Sequence, residues 1–251
     1  MFTVEAIAIG IAAAIVVGLS KTALPAAGLL SVPLVAMIVD GRLITGATLP
    51  LFIGADVFAV RWYRQHARWD LLRPLVPWLA LGYAAGITFY VVVGNSARPI
   101  EIVIGSIVLL MVAIQSWRML RRASPRRKSL AGTATYGSAG GFTTFVSNSA
   151  GPVINTYLIG LGLDKREQVG TSAWLYFVLN LTKVPLYVIL GFVTGGGHFF
   201  TRESLLWNLC VAPAIVVGAY LGRWIFPHLA DRTFVLLVLA LSAIGGVKLL
   251  L

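Results

Sequence analysis

The sequence contains few of the side chains that most enzymes and metal-binding proteins use. Its single cysteine, Cys210, excludes an intramolecular disulfide and a thiolate cluster for a metal. The three histidines, His66, His198 and His228, fall near the ends of apolar segments without a spacing that would hold an ion. We therefore predict neither a metal site nor a cofactor.

Charged residues are also scarce, at 12% of 251 residues, whereas 58% are hydrophobic and the mean hydropathy is +0.88. This composition predicts a multi-pass protein of the cell (inner) membrane. The net charge of +11 comes largely from two short loops between apolar segments, which indicates cytoplasmic loops beside lipid headgroups and no nucleic-acid partner. The first loop contains Arg61, Arg64, Arg68 and Arg73, and the second contains Arg118, Arg121, Arg122, Arg126, Arg127 and Lys128.

Two polar interruptions divide otherwise apolar stretches, and we call residues 18–28 the first break and residues 141–152 the second break. Each stretch exceeds 30 residues, whereas a helix needs roughly 20 to cross a bilayer. Glycine, proline and serine at each break free backbone groups, which at membrane depth must contact protein or a watery cavity. Paired breaks in two halves of a chain are typical of a transporter's binding site.

An internal repeat is indicated by matches at an offset of 123 to 124, such as Gly18 with Gly141 and Asp56 with Asn180. We predict an all-α polytopic membrane protein of two homologous halves, each a broken segment followed by three transmembrane helices. If each break is a re-entrant hairpin the halves are inverted, and if each crosses the membrane they are parallel; the distribution of Lys and Arg favours inversion. The predicted parts are an N-terminal repeat at 1–120, a basic cytoplasmic linker at 121–130 and a C-terminal repeat at 131–251.

Polar side chains within the apolar segments are the candidate binding residues, because a charge near the bilayer centre costs at least about 2.5–3.5 kcal/mol. Lys21 lies in the first break, where helix N-termini favour an anion, although it could instead snorkel to an interface. Asn148 offers neutral donors in the second break, or it satisfies the backbone there. The predicted substrate-binding residues are Ser20, Lys21, Thr22, Ser147, Asn148, Ser149, Asn180 and Lys183.

Asp56 is the remaining candidate, and its role has two interpretations. It could form a structural ion pair with Lys21 or with Lys183, which lies on the same helix face as Asn180. Alternatively, it could carry a proton. The membrane potential drives an anion outward by about 2.3 kcal/mol per charge per 100 mV, so an uncoupled carrier would export, and import would need a co-transported cation. We expect Asp56 to serve that coupling step.

Two regions of the chain resemble the signature regions of the TauE/SafE sulfite exporter family, also called the toluene-sulfonate uptake permease family. The resemblance implies a secondary transporter of anions such as sulfite, sulfonates or sulfoacetate. Ser20, Lys21 and Thr22 stand where many members have glycines, so the resemblance does not identify the substrate. The similar regions are 18–21 with 28–34, and 141–152 followed by 160–166, 170–173 and 180–187.

Two other functions remain open at this point. A membrane-embedded enzyme acting on a lipid-linked substrate would need an acid/base pair or a nucleophile, and the candidate intramembrane carboxylates are only Glu5 and Asp56. A structural membrane subunit would leave two intramembrane lysines unexplained. A small anionic substrate and membrane lipids are the predicted partners, and a homo-oligomer is an open alternative.

Overall fold

The structure is a computed structural model that describes residues 1–23, 27–94, 96–120, 129–194, 198–225 and 232–251, and these residues form helices and no strand. The first half contains α1 (Val4–Thr22), α2 (Gly28–Val35), α3 (Arg42–Tyr63), α4 (Trp69–Leu72), α5 (Val76–Val93) and α6 (Ala97–Leu120), with 3-10 turns at Arg64–His66 and Arg73–Leu75. The second half contains α7 (Leu130–Ser147), α8 (Gly151–Gly160), α9 (Lys165–Val193), α10 (Arg202–Ile225) and α11 (Arg232–Leu250). Residues 24–26 of the first break and 121–128 of the basic linker lie outside the described residues.

Six helical segments of the described chain are long and apolar enough to cross a membrane. Together with the helical fold, they confirm the predicted all-α polytopic membrane protein. The six segments are Val4–Thr22, Arg42–His66, Trp69–Val93, Ala97–Ile114, Arg166–Val193 and Arg202–Ile225.

The helices are interrupted at both predicted breaks, and the second break turns the chain back on itself. Asn148 ends α7 because it takes the left-handed conformation, with φ at +55°, and its N–H donates to Thr144 O at 3.1 Å. The hydroxyls of Thr133 and Tyr157 lie 3.0 Å apart, although a continuous helix would separate these positions by about 36 Å. α7 and α8 therefore form a hairpin, which favours the re-entrant interpretation.

Helices of the two halves pack against each other. α1 packs along α10, and α7 packs along α5. A Cβ at Gly18 would lie 2.4 Å from Ile215 O, and a Cβ at Gly141 would lie 2.4 Å from Leu79 O. Glycine is therefore required for the helix backbones to approach so closely. Gly18 and Gly141 are the pair that the sequence repeat matches, so matched positions make matched contacts.

α3 and α9 pack against each other and run antiparallel. The beginning of α3 lies beside the end of α9, because Arg42 donates to the hydroxyl of Thr194. The beginning of α9 lies beside the end of α3, because Arg68 N donates to Thr171 Oγ1 at 2.9 Å. An antiparallel pair of counterpart helices is expected of inverted repeats, so this packing favours inversion.

The end of the molecule around Arg42 is tightly packed. Arg42 is buried, donates to Tyr90 O at 2.7 Å and lies 5.4 Å from the ring centroid of Phe199. Tyr187 stacks on the same phenylalanine at 4.3 Å and donates to Phe145 O. These contacts close the space between the beginning of α3 and the end of α9.

Candidate functional site

The two breaks line one buried cavity of about 40 Å³, which we call the inner cavity. The first residues of α2 and α8 lie at its wall, so two helix N-termini face it. Because the first N–H groups of a helix have no partner within the helix, the two termini give the cavity a positive potential. Its polar lining comes from both breaks and from α9, namely Ser20, Lys21, Gly28, Thr144, Asn148, Ser149, Gly151, Ser172, Tyr176 and Asn180.

Lys21 forms a buried ion pair with Asp56 at the wall of the inner cavity. Its Nζ lies 2.8 Å from Asp56 Oδ1, and the two side chains are 10% and 0% exposed. Asn180 Nδ2 donates to Asp56 Oδ2 at 2.6 Å. The ammonium also lies 4.8 Å from the ring centroid of Phe52 and 4.4 Å from that of Tyr176. The pairing expected as one interpretation of Asp56 therefore occurs, and Lys21 does not snorkel to an interface.

Lys183 occupies a separate hydrogen-bonding network at the second break. Its fully buried Nζ donates to Thr144 O at 3.0 Å, to Thr144 Oγ1 at 3.2 Å and to Asn148 Oδ1. Asn148 Nδ2 donates to Thr48 Oγ1 at 2.8 Å and to Thr45 O at 3.0 Å. Since an ammonium can only donate, Lys183 fixes the oxygen of Asn148 toward itself. The network ties the second break to α3 and α9.

The charges around the inner cavity do not cancel. With all three side chains ionised, two lysines and the carboxylate of Asp56 leave one net positive charge. Lys21 has three N–H donors and directs one at Asp56, so it retains donors for a ligand. Within the described residues, no group of three His, Cys, Asp or Glu side chains could hold a metal ion. The arrangement is suited to holding a small anion in a positive site.

The predicted site residues separate into those at the inner cavity and those engaged elsewhere. Ser20, Lys21, Asn148, Ser149 and Asn180 line the cavity, and Lys183 contacts Asn148 behind it. The two hydroxyls that do not line it satisfy helix backbone carbonyls. Thr22 Oγ1 contacts Gly18 O at 3.0 Å and Ala219 O at 3.2 Å, and Ser147 Oγ contacts Thr143 O at 2.9 Å.

Several residues of the site were missed in the sequence because they resemble ordinary helix residues. Thr144 and Tyr176 precede Asn148 and Asn180 by four residues and so share their helix faces. Thr48 is the repeat counterpart of Ser172, and both contact or line the site. The helical spacing from a predicted polar residue was the signal that could have found them.

Comparison with known families agrees with this architecture. A family model described as "Sulfite exporter TauE/SafE" matches residues 10–249, nearly the whole chain. A comparison with curated proteins finds no match, and a comparison with solved structures finds none either. The matched family consists of transporters and not of enzymes, which removes the alternative of an enzyme acting on a lipid-linked substrate. The protein is therefore a multi-pass membrane protein that belongs to the TauE/SafE sulfite exporter family.

Proposed function

We propose that this protein is a secondary transporter that exports a small sulfur-containing anion, such as sulfite, from the cytoplasm across the cell (inner) membrane. The observation that carries the proposal is the inner cavity, where two helix N-termini, Lys21 and Asn148 converge. An anion bound there would accept hydrogen bonds from Lys21 and from the first N–H groups of α2 and α8.

The volume of the inner cavity favours a small substrate. A water molecule needs about 10–15 Å³ measured in this way, so the cavity of about 40 Å³ has room for about three waters. Sulfite has four non-hydrogen atoms and matches this space, whereas an aryl sulfonate would require the cavity to expand. We therefore rank sulfite and short sulfonates above toluenesulfonate as substrates.

Asp56 gives the site a means of coupling to protons. Ionised, it neutralises one lysine and leaves a single positive charge, which balances a monoanion. Protonated, it would release Lys21 and leave two positive charges, which balance a dianion. We propose that export needs no such step, because the membrane potential drives an anion outward by about 2.3 kcal/mol per charge per 100 mV. Uphill import would use the protonation of Asp56.

The proposed mechanism uses two inverted repeats, at 1–120 and 131–251, joined by a basic cytoplasmic linker at 121–130. The hairpin of α7 and α8 and the antiparallel packing of α3 and α9 support this division. Each repeat then contributes one break to the inner cavity, as in transporters built on inverted repeats. A homo-oligomer remains a prediction.

Flux in proteoliposomes tests the transport proposal. An outward-driving potential should accelerate sulfite flux, and Lys183→Met should abolish flux and reduce the sulfite-dependent thermal stabilisation. Lys248→Met is the matched control, because Lys248 is exposed and lines a different cavity near the end of α11. Equal sulfite affinity in wild type and Lys183→Met, or flux that ignores the imposed potential, would refute the proposal.

A separate measurement tests the coupling role of Asp56. Proteoliposomes with a negative interior and an inward proton gradient should accumulate sulfite only through the proton step. Asp56→Asn should abolish this uptake and preserve downhill export. Proton-driven uptake that is unchanged in Asp56→Asn would refute the role of this carboxylate.

A further inference from the structure

A second cavity opens where α3 ends, α9 begins and α10 ends, and we call it the outer cavity. Its volume is about 740 Å³. Three arginines line it, namely Arg61 from the last turn of α3, Arg166 from the first turn of α9 and Arg223 from the last turn of α10. Trp62 and Tyr220 supply an aromatic wall, with ring centroids 5.2 Å apart. The wall is therefore strongly basic and partly aromatic.

The positive charge of the outer cavity is not neutralised by nearby carboxylates. None of its three arginines forms a salt bridge to any carboxylate that the structure describes. At the same end of the molecule, Arg68 contacts Asp70 and Glu167 at 3.0 and 3.1 Å. Those hydrogen bonds raise the pKa of Arg68. Asp70 and Glu167 thus engage an arginine outside the cavity, and Asp164 accepts from the backbone N–H groups of Arg166 and Glu167 at 2.8 Å, which leaves the guanidinium groups of the cavity available to an anion.

The aromatic wall orders one of these arginines. The guanidinium carbon of Arg223 lies 4.9 Å from the ring centroid of Trp62. A guanidinium held over a ring still offers its N–H donors to an oxyanion, and its planar fork can bind two oxygens at once. Arg223 is therefore partly preorganised, which reduces the entropy lost when an anion binds.

The faces of α3 and α9 that line the outer cavity continue along each helix toward the inner cavity. Asp56 and Tyr63 lie two turns apart on one face of α3, and Arg166 and Ala173 lie two turns apart on one face of α9, a separation of about 10 Å. Ala173 lines the inner cavity, whereas Tyr63 and Arg166 line the outer one.

A buried apolar cluster lies between the outer cavity and the end of α1. Tyr63 and Val169 belong to a cluster of buried apolar residues with Leu19 and Ala23. The Tyr63 hydroxyl donates to Thr22 O at 3.3 Å, at the end of α1. Tyr63 therefore lies between an anion in the outer cavity and the first break.

We propose that the outer cavity is a second anion-binding site, in which Arg61, Arg166 and Arg223 hold a free oxyanion such as sulfite or sulfate. A concave basic surface raises the local concentration of anions and steers them by its field. Its role as the entry site to the inner cavity rests on the proposed transport function, but binding itself does not. Tyr63 is the residue that separates the bound oxyanion from the inner cavity.

Calorimetric titration of the purified protein in uncharged detergent, with sulfate and with sulfite, tests this site. In the variant Lys21→Met/Asp56→Asn, which lacks the ion pair of the inner cavity, we expect one remaining anion-binding site, in the outer cavity. Arg166→Gln/Arg223→Gln should weaken that binding at least tenfold, and Arg166→Lys/Arg223→Lys should weaken it less, because lysine keeps the charge without the fork. Arg64→Gln is the matched control, since Arg64 is exposed at the same end without lining the cavity, and it should bind within twofold of wild type.

The following results separate the possible outcomes. Unchanged sulfate affinity in Arg166→Gln/Arg223→Gln would overturn the site, and so would binding of phosphatidylglycerol vesicles through these arginines without any binding of sulfate or sulfite. In proteoliposomes, Arg166→Gln/Arg223→Gln should raise the KM for sulfite transport at least fivefold and leave kcat unchanged. If neither wild type nor any variant transports sulfite but the outer cavity still binds sulfate, the transport proposal fails while the proposed binding site stands.

Discussion

Removing one member of the Lys21–Asp56 pair should strongly destabilise the protein. Lys21→Met preserves the length of the side chain but leaves the fully buried carboxylate without its ammonium, which lies 2.8 Å away. The hydrogen bond from Asn180 remains, at 2.6 Å, but it supplies no charge. Breaking a buried ion pair in this way costs about 3–5 kcal/mol, because the remaining charge is desolvated and uncompensated. Asp56→Asn should cost a similar amount by leaving the ammonium alone.

Removing both charges should restore most of the stability. Lys21→Met/Asp56→Asn leaves no uncompensated charge from this pair, and buried pairs replaced by neutral groups are often as stable as before. We therefore expect the double variant to lie within about 1.5 kcal/mol of wild type, far from the sum of the two single losses. The same variant should lose the part of the sulfite-dependent stabilisation that comes from the inner cavity, because the charge that would bind the anion there is absent.

Reversible unfolding in mixed micelles, followed by tryptophan fluorescence, measures these free energies. Lys248→Met, at an exposed lysine, controls for the loss of one positive charge. If the single variants each cost less than about 1 kcal/mol, as exposed ion pairs do, the pair is not desolvated and the reasoning is wrong. Additive losses in the double variant would show that Lys21 and Asp56 do not depend on each other.

Three further predictions concern packing and topology. Gly141→Ala should lower the free energy of unfolding by about 1–3 kcal/mol, since its Cβ would lie 2.4 Å from a backbone oxygen of α5. Gly54→Ala is the control and should cost less, because its Cβ would meet only the flexible end of a side chain at 3.1 Å. Equal losses of stability in the two variants would contradict the close contact at Gly141. Tyr187→Phe removes a buried donor to Phe145 O and should cost about 1–3 kcal/mol in unfolding measurements, so an unchanged free energy would contradict that hydrogen bond. Cys210 is exposed on α10 within a candidate span, so a charged maleimide should label it only after denaturation, and labelling in intact membranes would contradict the span.

The breaks could be predicted from the sequence because glycine, serine and asparagine clustered inside a long apolar stretch disfavour a continuous helix across the bilayer. Asn148 illustrates this, since it both ends α7 and lines the inner cavity. The convergence of Lys21 and Asn148 on one cavity followed from the paired positions of the breaks.

Other features depended on how the helices pack, which no local pattern records. Either lysine could have paired with Asp56, and only the position of α1 against α3 selects Lys21. Thr22 and Ser147 sit in the breaks by sequence, but their hydroxyls bond to helix carbonyls. A side chain's direction around a helix end is decided by the residues that meet it, and these lie far away in the chain.

The antiparallel packing of α3 and α9 gives the two ends of the molecule matching parts. Arg42 and Tyr187 both contact Phe199 at one end, which is tightly packed, whereas Arg166 and Tyr63 both line the wide opening at the other. If the two halves are inverted repeats, as we propose, a conformation in which the two ends exchanged these environments would depend on similar contacts at matched positions and so would have a similar free energy. An equilibrium so finely balanced is shifted by any ligand that prefers one conformation by a few kcal/mol. An inverted duplication of this kind would give the chain two alternative conformations that use a single set of interactions.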